Sequence, residues 1–425
     1  MSRPSSRNDF DLLIVGGGMV GAGFAACAAA DRELGQLRIA LLDASPPMQP
    51  PAGSDIDLRV SAVSRASQRM LTAIGAWPLI PAAHRSAYSE MIVWDAAGKP
   101  FGNGSVHFSA SETSEPDLGH IIENRRLQWG IYACEAFTNR VTLLRATLAA
   151  LTLDDGAARA TLDDGRHISA SLVVGADGAA SASRQLAGIE TRGWNYEQRA
   201  FVTHVRTEHS HRGTAWQRFQ PQGPIAFLPL ADGRSSIVWT TQPEHAEHLV
   251  QGSVDSVNAE IERAIDGVLG AVTIDAPRAS FPLQLRHAIQ YCRSRFVLVG
   301  DAAHAVHPLA GQGVNLGFLD AAALVEVLAT ELTRSGSVES LAETRVLRRY
   351  ERWRKSENML ALGLIDGLNR LFSNSSDAMS WVRRTGLSLV NGSALTKRAL
   401  MGRAMGIAGD VPKLASGFPS SRQNR

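Results

Sequence analysis

The chain has 425 residues, with 43 Lys+Arg against 41 Asp+Glu and a formal net charge of +2. That balance excludes a dedicated nucleic-acid binder, which would carry a clear cationic excess, and 44% hydrophobic with 20% charged content excludes wholesale disorder. Three cysteines (Cys27, Cys134, Cys292) with no C-x-x-C spacing exclude a disulfide scaffold or a cysteine-based zinc module, and the length predicts two or three domains.

At the amino terminus, Leu12 to Ala30 is uncharged and follows Arg3 and Arg7, the outline of a signal peptide or membrane span. Gly16, Gly17, Gly18, Gly21 and Gly23 in its middle argue against both. The better reading is a buried strand Asp11 to Val15, a glycine turn, and an Ala-rich helix from Met19. No other uncharged run reaches membrane length, so a cytoplasmic protein is expected, with peripheral contact at the inner face of the membrane as the finer alternative.

Gly16-x-Gly18-x-x-Gly21 follows a strand and opens a helix, the context that a dinucleotide-binding turn requires. The first glycine permits the tight turn, the second lets a pyrophosphate approach the backbone, and the third lets helix and strand pack closely. A second strand, Arg38 to Leu42, ends in Asp43, placed to accept hydrogen bonds from a ribose diol. Ser45 to Gly53 is a proline-rich surface loop. Two Asp-Gly turns, at Asp155-Gly156 and Asp164-Gly165, predict a β-meander leading into the strand before Asp177-Gly178. Arg199 to Thr241 is rich in strand formers and predicts a second sheet.

Further on, the buried strand Phe296 to Val299 delivers Gly300-Asp301 at its carboxyl end, where open α/β sheets bind ligands. Pro308, Gly311 and Gly313 precede a helix beginning at Val314 and Asn315. An acid at a strand tip can hold a sugar-alcohol chain, and a helix start can aim N–H donors at a ring that becomes anionic on reduction. A flavin has both parts, so FAD fits better than NAD. The twelve histidines include pairs at His304/His307, His209/His211 and His245/His248, but no spacing supplies three converging metal ligands. No G-x-S-x-G elbow is present. Between Asp366 and Met405 six basic residues face two acids, and Leu364, Ile365, Leu368, Leu371 and Phe372 form one apolar stripe. That end reads as helices packed on the body or as a basic amphipathic surface for anionic lipid or a protein partner.

The three glycine–acid elements together resemble the flavin-dependent aromatic hydroxylases of the p-hydroxybenzoate hydroxylase-like fold. Gly300-Asp-Ala-Ala-His-Ala-Val-His-Pro-Leu-Ala-Gly-Gln-Gly-Val-Asn-Leu-Gly317 and Thr214-Ala-Trp-Gln-Arg-Phe219 bring the resemblance closest to the ubiquinone-biosynthesis hydroxylases, over about Asp9 to Met405. Gly223 to Leu230 and Ile122 to Arg125 add to it.

The resemblance implies an α/β fold: a discontinuous Rossmann-like FAD-binding domain, an inserted mostly antiparallel β-sheet substrate domain and a helical carboxyl end. The expected boundaries give the FAD-binding domain residues 9–76, 120–190 and 282–345, and the substrate domain 77–119 and 191–281. A helical region 346–406 and a flexible tail 407–425 complete the chain. It further implies Asp43 on the adenosine ribose, Arg59 near the pyrophosphate, Arg125 before a helix beside the cofactor, and Asp301 on the ribityl chain. Asp177 and Gly178 belong to a motif linked to both FAD and reduced-nicotinamide contacts. Phe227, Leu228 and Pro229 are candidate walls of the substrate cavity.

The implied reaction is reduction of FAD by NADPH or NADH, capture of O2 as a C4a-hydroperoxide, and hydroxylation of a polyprenylated phenol or quinol of ubiquinone biosynthesis. No catalytic side chain is required beyond those that position the flavin. Other proteins of that pathway and a second copy of the chain remain open as partners. A hydroxylase of a small soluble phenol, a flavin-dependent prenyl reductase and a non-catalytic FAD-containing scaffold stand as alternatives.

Overall fold

The computed structural model describes residues 8–305, 312–372 and 377–417. The first part of the chain supplies β1 (Phe10–Val15), α1 (Met19–Ala30), β2 (Ile39–Leu42), β3 (Val60–Ser64), α2 (Arg65–Ala73), β4 (Glu90–Asp95), β5 (Ser105–Ser109), β6 (Gly119–Glu123), α3 (Asn124–Ala133) and β7 (Val141–Leu144). The middle supplies β8 (His167–Gly175), β9 (Thr191–Thr207), β10 (Thr214–Phe219), β11 (Ile225–Pro229), β12 (Ser235–Thr241), α4 (Pro243–Gln251) and α5 (Val254–Ala264). The last part supplies β13 (Ala279–Ala288), β14 (Phe296–Leu298), α6 (Gln312–Ser335), α7 (Thr344–Phe372), α8 (Asp377–Gly392) and α9 (Ala394–Ala404).

β14, β8, β1, β2 and β7 lie side by side, every pair parallel. Phe-Asp-Leu-Leu-Ile-Val, Ile-Ala-Leu-Leu and Phe-Val-Leu are unbroken buried runs because a parallel sheet is covered on both faces. The two Asp-Gly turns join Leu148–Leu153, Ala158–Leu162 and β8 as an antiparallel meander, as their spacing predicts. α1 and α6 share the core formed with this sheet, through Phe24, Phe318, Leu324 and Leu328. α6 carries the one described segment long and apolar enough to cross a membrane, Gly313–Ser335, and 67% of its most apolar window is buried inside the fold.

The second sheet has nine strands, with β13, β9, β12, β11, β10, β4 and β5 in that order, antiparallel except for the β10–β4 pair. α4 and α5 cover one of its faces, over a core of Ile92, Trp94, Phe201, Phe227, Ile237, Trp239, Val257 and Ile261. The expected boundary between residues 281 and 282 falls inside β13, which pairs with β9 on both sides of Pro282.

α8 lies along β5: the Gly104 N–H donates to Ser388 Oγ at 3.1 Å and the His107 N–H to Asn391 Oδ1 at 3.1 Å. Part of the charge of the basic carboxyl-terminal segment is paired within the fold. Arg383 is buried against Asp95 at 2.7 Å, Lys397 pairs with Glu112 at 2.6 Å, and Arg403 with Glu357 at 3.5 Å. Of the apolar stripe, Leu364 is exposed, while the side chains of Ile365, Leu368, Leu371 and Phe372 lie outside the described residues.

Candidate active site

Three parallel strands end at one side of the first sheet, and their turns interlock. After β1 the chain turns at Gly16 with φ of +103°, where a Cβ would lie 2.6 Å from the Ala176 carbonyl oxygen. A Cβ on Gly21 would meet the Gly16 carbonyl oxygen at 2.0 Å, so strand and helix approach as closely as backbone allows. Gly18 caps α1 without a side chain, and a Cβ there would point into open space. The first N–H groups of α1 thus face an open cradle with the positive end of the helix dipole behind them, which fits a diphosphate.

Asp43, half-buried, sits at the tip of β2 beside this turn. The Tyr132 hydroxyl lies between Asp43 Oδ2 and the Gly17 carbonyl, and Gln128 Nε2 donates to the same carbonyl at 2.7 Å. Burial, with Asp43 adding to it, pushes the Tyr132 phenol far up, so it stays a donor. α3 thereby fixes both the glycine turn and the acid that faces it.

The two remaining strand tips carry Asp177, after β8, and Asp301, after β14. Asp177 Oδ1 accepts from the Ser181 and Ser183 hydroxyls at 2.5 and 2.7 Å, and Oδ2 accepts from the Ser183 N–H at 2.8 Å. Its carboxylate is spent inside its own loop. The Asp301 side chain is exposed to solvent. Burial raises its carboxyl above the ordinary value; His304 pulls it back down and Asp320 adds to the rise. Arg184 joins the two loops, donating to the Ala302 carbonyl at 2.8 Å and the Ala179 carbonyl at 3.0 Å.

Gly313 and Val314, half-buried, begin α6, and Asn315 behind them is buried. Asn315 Oδ1 accepts from the Ser64 N–H at 2.9 Å and the Ser67 hydroxyl at 2.7 Å, while Nδ2 donates to the Ala62 carbonyl at 2.8 Å. The side chain therefore ties the start of α6 to β3 and α2. Pro308 and Gly311 lie outside the described residues. Arg59 is exposed just before β3 and its guanidinium makes no hydrogen bond or ion pair with the described residues. Arg125 is instead engaged: its Nε donates to Glu123 Oε2 at 2.8 Å and its guanidinium to Ser54 Oγ at 3.1 Å, fixing the loop before Arg59.

The three candidate cavity-wall residues lie on both faces of β11. Alternation along β11 turns Phe227, fully buried, into the core beneath α4 and α5, and the buried Pro229 shares its parity. Leu228 faces the other way, against Ile56, Val60, Ala62 and Ile121 of the small sheet built on β3 and β6.

Asp320 and Arg354, both buried behind the Asp301 turn, were not singled out by the sequence. A lone acid inside the apolar run Leu316 to Val325 was the available signal; Arg354 lies in a basic stretch that reads as a solvated helix face. Among the described residues no group of three or more His, Cys, Asp or Glu could hold a metal ion.

Residues 140–357 match the FAD binding domain family. Along nearly its whole length the chain is similar to the ubiquinone hydroxylase UbiL of Rhodospirillum rubrum, 38% identical over 96% of this chain and 93% of that protein. It is 36% identical to the 3-demethoxyubiquinol 3-hydroxylase of Escherichia coli, over 93% and 98% of the two chains. The human mitochondrial ubiquinone biosynthesis monooxygenase COQ6 is 34% identical, over 94% and 93%. Among solved structures, the p-nitrophenol 4-monooxygenase PnpA of Pseudomonas putida has the same fold, with a TM-score of 0.73, 19% identity and 96% and 98% coverage. So does PqsL of Pseudomonas aeruginosa, a probable FAD-dependent monooxygenase, with a TM-score of 0.71, 21% identity and 90% and 100% coverage.

Proposed function

The chain belongs to the FAD-dependent hydroxylases of ubiquinone biosynthesis, and from that membership we propose that it hydroxylates the ring of a polyprenylated phenol or quinol, using O2 and electrons from NADPH or NADH. The observation that carries this reading is the open turn at the start of α1 with Asp43 beside it, together with the exposed Asp301 after the parallel strand β14, in a chain whose relatives of matching length include ubiquinone hydroxylases. Bound FAD supplies the redox and oxygen chemistry; the protein supplies position and exclusion of water.

Each residue has a task in that scheme. The amino terminus of α1 neutralises the diphosphate with unpaired N–H groups, and Gly18 leaves it room. Arg59, free of partners among the described residues, adds a cation beside it. Asp43 accepts from the adenosine ribose, and Asp301 from the ribityl chain. The start of α6 at Gly313 and Val314 directs a positive dipole end toward the flavin ring, where negative charge develops on reduction. Asp177, Asn315 and Arg125 hold the loops that place these groups.

The substrate reading rests on the relatives and on the apolar side of the second sheet around Leu228, Val60 and Ile121. A membrane-dissolved substrate would be met through exposed apolar side chains of α7 to α9, Met359, Leu360, Leu364, Leu389 and Leu395, since much of the basic charge there is paired. Vesicle binding should therefore persist in high salt; loss of binding on adding salt would assign it to charge.

Mass spectrometry of quinone lipids after deletion of the gene tests the function. Accumulation of an intermediate lacking one ring hydroxyl is expected and identifies the carbon attacked. An unchanged quinone profile contradicts the reading. Oxygen uptake by the purified protein, stimulated by a prenylphenol in the presence of NADPH, separates it from a non-catalytic scaffold and from a reductase.

A further inference from the structure

Behind the Gly300–Asp301 turn lies a group of buried polar and charged side chains. Asp320, on α6, is fully buried and accepts four hydrogen bonds: from His304 Nε2 at 2.5 Å, Arg354 Nε at 2.8 Å, Asn358 Nδ2 at 3.0 Å and the Gly300 N–H at 3.1 Å. An ionised carboxylate can accept about four such bonds, so its capacity is filled. His304 and Arg354 pull its carboxyl down to about 2 against the effect of burial, which keeps it an anion. Arg354 is itself buried and donates onward to Asn358 Oδ1 at 3.0 Å.

The donors come from separate segments: the turn after β14, the short strand His304–Ala305, and α7. On its other side the turn is equally confined. Gly300 has φ of +60°, and a Cβ there would lie 3.0 Å from Val20 of α1; a Cβ on Gly317 of α6 would lie 2.5 Å from the same side chain. Val20 thus sits in a notch between the turn and α6, directly after the glycine turn that receives the diphosphate. Such a buried charge group is weak evidence for stability, because apolar residues of similar volume commonly do as well. Its bond to the backbone of Gly300 gives it a different use.

We propose that Asp320 is a positioning residue for the flavin, which with His304 and Arg354 holds the Gly300–Asp301 turn in register with the start of α6. The inference rests on the reading that Asp301 receives the ribityl chain. Removing the anion leaves Arg354 without a counter-charge and too few acceptor sites for His304, Asn358 and the Gly300 N–H, so the turn relaxes and Asp301 moves from its place.

The test is titration of apoprotein with FAD, followed by flavin fluorescence, with circular dichroism and the melting temperature recorded for each variant. Asp320→Asn is expected to weaken FAD binding about tenfold or more. The double variant Asp320→Leu/Arg354→Met removes both charges; it should regain melting temperature while FAD binding stays weak. Recovery of both together overturns the positioning role and leaves a structural one. Should Asp320→Asn fail to fold, His304→Gln, which keeps a donor, is expected to weaken FAD about threefold, and wild-type affinity there also overturns the proposal. Asp301→Ala separates the two layers of the argument. If it binds FAD normally, the ribityl reading falls and the role of Asp320 with it. If it binds weakly while Asp320→Asn binds normally, only the positioning role falls.

Discussion

Two neighbouring strands of one parallel sheet, β8 and β14, each end in a glycine–aspartate turn at the same side of the molecule, and the two aspartates have opposite fates. Asp177 spends its carboxylate on Ser181 and Ser183 within six residues of itself. The Asp301 carboxylate has no hydrogen-bond partner among the described residues, and its turn is braced by Asp320 and by Arg184. An acid at a strand tip is therefore not by itself a ligand for a cofactor. What decides is whether the protein already supplies its donors.

The contrast can be broken at the level of stability first. Phe227→Ala sets the scale for purely structural loss: a fully buried side chain in the helix-covered core should cost about 3–5 kcal/mol in chemical denaturation. Leu228→Ala on the opposite face should cost less and instead raise KM for a prenylated substrate; equal losses in stability with unchanged KM would mean that neither face sees the substrate. Asp177→Ala removes three hydrogen bonds to a buried serine loop and should cost roughly 2–4 kcal/mol. Asp301→Ala should cost the apoprotein nothing. Burial raises the Asp301 carboxyl in the folded state, so its ionised form opposes folding at neutral pH and its removal leaves the apoprotein as stable or more so. A lower apoprotein melting temperature for Asp301→Ala than for Asp177→Ala would reverse the comparison.

A smaller effect is expected with pH. His120 and His287 are each pushed down to about 4, mainly by burial, with Arg65 and Arg85 adding to the shift at His120 and Lys355 and His304 at His287. The unfolded chain takes up these protons near pH 6.5 and the folded chain only near 4. Their contribution is present above pH 6.5 and is lost as the pH falls toward 4. The melting temperature should decline across that window, and His120→Gln should flatten part of the decline. A wild-type slope in that variant would remove His120 from the account. Asp320 acts lower, its contribution fading only as the pH falls from about 4 toward 2.

How much of this was legible in the sequence follows from the same physics. Gly16 and Gly21 are imposed by a left-handed turn and a backbone contact, so the constraint is written into residue type at fixed spacing. The meander was legible because its turns are local. The group around Asp320 was not, because its members lie at positions 300, 304, 320, 354 and 358 and meet only when α6 and α7 pack. Alternation in β11 announced two faces but not which one the helices cover; the structure packs Phe227 into the helix-covered core. Net charge alone could not show that Arg383, Lys397 and Arg403 find acids on other elements.

The most direct test of the central claim is titration of the Asp301→Ala and Asp177→Ala apoproteins with FAD under one set of conditions. Losing hydrogen bonds from a charged acceptor to the cofactor should raise the dissociation constant of Asp301→Ala roughly 10- to 100-fold, with the fold and melting temperature kept. Asp177→Ala should lose melting temperature and bind FAD within a fewfold of wild type. Weaker binding in Asp177→Ala than in Asp301→Ala, or wild-type affinity in Asp301→Ala, would contradict the account.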